Sequence, residues 1–197
     1  MPLTITKSVA QLLKEKTREA HSTAENLLTP KLCSIHSYDD YAAVLKMFYG
    51  YFYPLEQVIK KYITSDILTD IDERRNSMFV LHDLQSLNCS TENLSVCDQI
   101  PRANNINDAF GFLYVLEGST LGGRMISKML MKNIYIKLDQ GNLNFFNGYK
   151  EETGNKWAHF LSVVNQYGEN AETIVAAANE TFDGLTKWLE KTLWIEK

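Results

Sequence analysis

Prolines, charge runs and strand signals are all scarce in this 197-residue chain, and each scarcity removes a class of protein. The four prolines, Pro2, Pro30, Pro54 and Pro101, leave long stretches in which a helix can run without a lost hydrogen bond or a ring clash. The three cysteines, Cys33, Cys89 and Cys97, are odd in number and lack CxxC spacing. That argues against a disulfide framework or a zinc site and for ordinary reduced thiols. No apolar run approaches the ~18 residues a membrane span needs, and residues 1–10 carry neither a basic n-region nor an apolar h-region. The expectation is a cytoplasmic protein with no membrane partner. A formal charge of −4 and a pI near 5.6, without five or six like charges in a row, argue against a nucleic-acid partner.

What is present is apolar material at helical spacing. The chain is 45% hydrophobic, enough for one well-buried core, and a single domain is expected over residues 1–197. Over residues 8–28, Val9, Leu12, Leu13, Ala20, Ala24, Leu27 and Leu28 recur mostly three and four apart, and Pro30 is expected to close that helix. Ser37 caps a second one, carried by Tyr41, Val44, Leu45, Phe48, Phe52 and Leu55, which Pro54 kinks or divides. Shorter helices follow over 67–75 and 77–87, then a polar loop over 88–97. Further helices are expected over 107–131, 154–167 and 169–191. Between the first two of these, residues 139–148 form a polar loop holding the pair Phe145 and Phe146. The fold class is therefore all-α, a multi-helix bundle of seven or eight helices.

Two features inside this pattern point to a site. Leu113 to Gly123 places Gly118, Gly122 and Gly123 within a segment that otherwise reads as buried helix, and an interior glycine costs about 1 kcal/mol relative to alanine. Gly118 and Gly122 are four apart and stack on one face, either for close helix packing or to let a flat ligand lie against bare backbone. The other feature is His21, which shares a helix face with Leu13, Thr17, Ala24 and Leu28. It is either a hydrogen-bonded core histidine or a ligand. Glu25, one turn on, is either a solvated acid or the carboxylate that orients a metal-bound imidazole. Lys14, Lys16 and Arg18 form either a solvated face or a rim that pairs carboxylates.

The run Leu13-Lys14-Glu15-Lys16-Thr17-Arg18-Glu19-Ala20-His21-Ser22-Thr23-Ala24-Glu25 resembles the first helix of haem oxygenases, and the glycine segment resembles their distal helix. The order and separation of the two motifs agree too, so the resemblance spans nearly the whole chain and is closest to bacterial biliverdin-producing members. It implies a haem-oxygenase-like fold and haem as both cofactor and substrate. His21 would be the iron ligand and Glu25 its hydrogen-bond partner. Gly118, Ser119, Gly122 and Gly123 would form the distal catalytic wall, and Lys14 and Arg18 would face the propionates. The implied reaction opens haem to biliverdin with release of carbon monoxide and ferrous iron. It uses O2 and electrons from a ferredoxin or reductase, for which Lys14, Lys16, Arg18, Lys128, Lys132 and Lys137 offer a basic docking surface.

One departure is Ser119, which stands where many members carry an aspartate that orders water; a hydroxyl bonds to water without charge. No basic residue on a later helix matches the family's propionate partner. Lys150 and Lys156 are candidates without a motif, and His159 reads as a surface or packing residue. The alternative function is a haem-binding or haem-trafficking protein without turnover. Thiaminase-like or quinone-cofactor-biosynthesis relatives share this kind of bundle, but no cysteine–carboxylate motif surrounds the three cysteines.

Overall fold

The computed structural model describes residues 7–193. Residues 1–6, part of the stretch read for a leader, lie outside them. Eight α-helical segments and no strand occur among the described residues: α1 (Val9–Lys16), α2 (Arg18–Cys33), α3 (Tyr38–Ile59), α4 (Met78–Ser86), α5 (Ile106–Met131), the single turn α6 (Asn144–Asn147), α7 (Thr153–Val164) and α8 (Ala171–Leu193). One continuous core runs from Val9 to Leu189.

Local chemistry explains the starts. Ser8 accepts the Gln11 N–H while Gln11 Oε1 accepts the Ser8 N–H, a reciprocal cap that satisfies two orphan donors of α1. The expected Ser37 cap is present, accepting the Asp40 N–H at 3.1 Å. Asn105 caps α5.

Several boundaries differ from the expectation. The first helix divides at Thr17, yet the hydrogen-bond ladder continues from Thr17 N–H to Leu13 O and from His21 N–H to Thr17 O, so the helical face survives. Pro30 lies inside α2, which runs on to Cys33, and Pro54 lies inside an undivided α3. The buried apolar faces hold both helices together across the missing donor. Residues 67–75 form only a short 3-10 turn over Ile71–Glu73. The loop over 139–148 contains α6, because the buried Asp83 carboxylate accepts the N–H groups of Asn144 and Phe145, both at 2.9 Å, and so gathers that turn into the core.

Helix α8 is the spine. Both α5 and α2 pack along it, and α1 joins them, whereas α2 and α5 share no comparable contact with each other. Gly111 sets the closeness of one crossing, since a Cβ there would meet Ile174 O at 2.5 Å. The gap between α2 and α5 is where the site lies.

Candidate functional site

Helices α1, α2, α3, α5, α6, α7 and α8 line an open cavity of about 370 Å³, and the sequence motifs converge on it. From α1 and α2 come Lys14, Thr17, Arg18, His21, Ala24 and Glu25. His21 is not a core histidine: 51% of its side chain is exposed, at the cavity, with its ring edge against Phe182. Its Nδ1 faces Glu25 Oε2 at 3.4 Å, which leaves Nε2 as the nitrogen for a ligand. Lys14 and Arg18, both exposed, edge the same opening.

From α5 come Gly118, Ser119 and Gly122. A Cβ at Gly122 would meet nothing within 4 Å, and one at Gly118 would only touch Trp157 at 3.6 Å. The strip is therefore bare because the cavity faces it, not because another helix presses on it. Gly123 is different. It does not line the cavity, and a Cβ there would overlap the carbonyl oxygen of Phe146, so its lack of a side chain lets α6 dock on α5. The sequence reading that placed Gly123 in the distal wall is corrected on this point.

That difference gives a paired expectation. Gly122→Ala should raise stability by up to about 1 kcal/mol, from helix propensity alone. Gly123→Ala should lower it by about 1–3 kcal/mol, because the α5–α6 contact must open. Urea unfolding midpoints check this, and the opposite order of the two variants would refute it.

The residue that sequence reasoning missed is Arg75. It is buried, at 6% exposure, and its Nη2 donates to Leu116 O at 2.6 Å and Ser119 Oγ at 2.8 Å. Its guanidinium lies over the Phe145 ring at 4.4 Å. Its Nε is buried with no hydrogen-bond partner, an orphan donor at a cavity wall. Burial pulls its pKa down, opposed by Tyr149, Glu117 and Glu56. An arginine pair in a short polar turn reads as surface, so no local signal marks it. Its backbone is anchored as firmly as its head: Arg75 N–H donates to the Tyr149 hydroxyl, which donates to Glu117 Oε1. Glu117 also pairs with the buried Arg74. Burial and Glu117 push the Tyr149 pKa up, which keeps that hydroxyl a donor.

The propionate candidates on the later helices stand away from the cavity. Lys156 is held by Asp70 at 2.9 Å and Glu73 at 3.0 Å, His159 sits 3.3 Å from Asp70, and neither they nor Lys150 line the cavity. On the described residues, the cations at the opening are Lys14 and Arg18, with Arg75 inside.

The cavity suits a large flat group with an anionic edge. Its lining is mostly apolar and aromatic, with Phe48, Phe52, Phe146, Leu185 and Leu189 among the wall residues. A histidine nitrogen serves one wall, a side-chain-free strip with an orphan guanidinium donor serves another, and cations stand at the mouth; this donor set fits haem. Fold and site together define an all-α protein with a histidine-bearing, cation-edged cavity. A sequence profile described as "Heme oxygenase" matches residues 7–191, and the chain belongs to that family.

Solved structures agree on the fold. The haem oxygenase of Leptospira interrogans superposes with a TM-score of 0.74 at 17% identity, covering 94% of this chain and 100% of that one. That of Neisseria meningitidis, described with NO and CO bound, gives 0.77 at 19% identity, covering 97% and 94%. Haem oxygenase-1 of the cyanobacterium Synechocystis, in complex with haem, gives 0.73 at 19% identity, covering 94% and 92%. A sequence search of curated proteins finds no significant match. Among the described residues no helix is long and apolar enough to cross a membrane.

Proposed function

We propose that this protein is a cytoplasmic, single-domain haem oxygenase that opens haem to biliverdin. When bound, haem supplies both the iron that activates O2 and the ring that is cut, with release of carbon monoxide and ferrous iron and with electrons from a ferredoxin or reductase. The observation that carries this reading is the convergence of His21 with Gly118 and Gly122 on one cavity, in a chain of this family.

Each residue then has a definite task. His21 Nε2 holds the iron, and Glu25 fixes the ring through Nδ1. Lys14 and Arg18 pair the propionates at the cavity mouth. Gly118 and Gly122 let the ring lie against the α5 backbone. Phe48, Phe52, Phe145 and Phe146 exclude bulk water. Arg75 and Ser119 hold ordered water at the α5 wall, with Ser119 Oγ donating to Leu116 O at 2.6 Å and accepting from Arg75. The exposed Lys14, Lys16, Arg18, Lys128, Lys132 and Lys137 receive an acidic electron donor.

The alternative, haem binding without turnover, drew its support from the uncharged Ser119. The Arg75 guanidinium 2.8 Å from that hydroxyl supplies a charged group to the same wall and favours the enzyme. Aerobic incubation with haem and a reducing system decides between them. A rising biliverdin band with loss of the haem band is expected; persistence of intact haem would leave a carrier.

A further inference from the structure

Ten large hydrophobic side chains are exposed among the described residues, and six of them fall between Leu121 and Tyr135. Along the second half of α5, Leu121, Met125 and Met129 are spaced four apart and stack as one exposed stripe. Arg124, Lys128 and Lys132, the last at the C-cap, stack the same way beside it. Just past the helix Ile134 and Tyr135 project into solvent, and the exposed Lys137 follows. From Gly118 to Leu138 the chain carries four cations and no acid, although its net charge is −4.

This tip is held in place. Asn133 donates through Nδ2 to Ile35 O at 2.9 Å, and its Oδ1 accepts the N–H groups of Tyr135 at 2.8 Å and Ile136 at 3.2 Å. Tyr38 donates to Lys137 O at 3.2 Å, and the Tyr135 ring meets His36 edge-on at 4.2 Å. Ile136 and Leu138 are buried beneath, so the apolar groups left outside are displayed by an anchored segment. The stripe starts at the cavity mouth, since Leu121 is exposed and also lines the cavity.

An apolar patch of this kind marks a contact surface, and its charge and shape select the occupant. A second copy of the chain would set like charges against each other. A folded partner needs pockets shaped for Met125 and Ile134, which stand 76% and 86% exposed. A bilayer closes around such side chains without a preformed pocket, and anionic headgroups answer the cations. A tyrosine suits the headgroup level, and lysine stems lie along apolar surface with their charge in water.

We propose that the face formed by Leu121, Met125, Met129, Ile134 and Tyr135, with Arg124, Lys128, Lys132 and Lys137 around it, docks the protein on an anionic lipid surface with the cavity mouth beside the membrane. This is contact with one leaflet and not a span, and it revises the expectation of no membrane partner. It also divides the basic surface assigned above: Lys128, Lys132 and Lys137 face headgroups, and Lys14, Lys16 and Arg18 remain for the electron donor. An apolar ligand dissolved in the leaflet then meets the cavity without crossing bulk water.

The test sediments the haem-free full chain with vesicles of phosphatidylglycerol and phosphatidylcholine in equal parts, and with phosphatidylcholine alone. Binding is expected to the first only, with release at about 1 M salt, where the screening length falls to about 3 Å. Lys128→Gln with Lys132→Gln should weaken it about 25-fold, or about fivefold per charge. Met125→Ser with Ile134→Ser should weaken it at least tenfold while the urea unfolding midpoint and haem turnover in solution stay unchanged. Ile134→Trp should show a blue shift of its fluorescence on adding the anionic vesicles. Absence of vesicle binding would overturn the proposal, and so would binding that Met125→Ser with Ile134→Ser leaves untouched. If vesicles are ignored while that double variant slows reduction by a ferredoxin, or abolishes a dimer, the face belongs to a protein and the lipid proposal is lost. Because the vesicle readout uses haem-free protein, a chain that binds vesicles and makes no biliverdin would keep this surface and lose only the assigned function.

Discussion

Replacing His21 by alanine is expected to cut haem turnover by at least about 100-fold and to abolish the absorption signature of a histidine-bound iron, with the fold left intact. The magnitude follows from metal sites in which loss of a residue that merely orients a ligand already costs 10–100-fold in affinity or activity, so removing the ligand costs at least the upper end. The intact fold follows from the position of the side chain. Half of it is exposed at the cavity, its contacts are the edge of Phe182 and the exposed Glu25, and no buried donor or acceptor is stranded by its removal. Stability should therefore change by no more than about 0.5 kcal/mol. Added imidazole should restore part of the iron spectrum, because the truncated side chain leaves space where the ring stood. A His21→Ala protein that binds haem with an unchanged spectrum would remove His21 as the ligand.

Arg75→Leu is expected to lower turnover by about 100- to 1000-fold while haem loading persists, the range found when one preorganised donor is removed from a reaction centre. Arg75 is the buried cation of the cavity, and its head reaches the α5 wall through Ser119 Oγ and Leu116 O. Leucine fills the space over Phe145 but donates nothing. Among the described residues Arg75 closes no ion pair with a carboxylate within 4 Å, so its loss breaks no buried salt bridge, and the protein should stay folded. Its anchor to Tyr149 runs through the backbone N–H, which leucine retains. Ser119→Ala should cost far less, since Arg75 keeps Leu116 O as an acceptor. Single-turnover assays on haem-loaded proteins separate the two variants. Equal losses would mean that the serine hydroxyl, and not the guanidinium, carries the distal function.

The two predictions draw on different depths of information. Amphipathic spacing placed His21 on one helix face with Thr17 and Ala24, and the structure puts all three at the cavity. The Gly118 and Gly122 repeat was equally legible as a bare strip, but its meaning was not, since the same spacing serves helix packing. Open space beyond the position of a Gly122 Cβ distinguishes the two uses, and that space belongs to the gap between α2 and α5. Gly123, one residue further on, has the opposite environment because it lies on the α6 side. Prolines misled in both cases: Pro30 and Pro54 remain inside helices whose buried faces outweigh one missing donor.

By itself the sequence determined most of the helices, the cap at Ser37, and the face that carries His21, because a helix is built from hydrogen bonds and side-chain spacings within four residues. Tertiary structure alone decided that Arg75 meets Ser119 across 44 residues, and that Lys156 is held by Asp70 and Glu73 away from the cavity. Those are pairings of charge and burial between distant segments. Their energies depend on what else lies within a few ångströms, which no local pattern encodes.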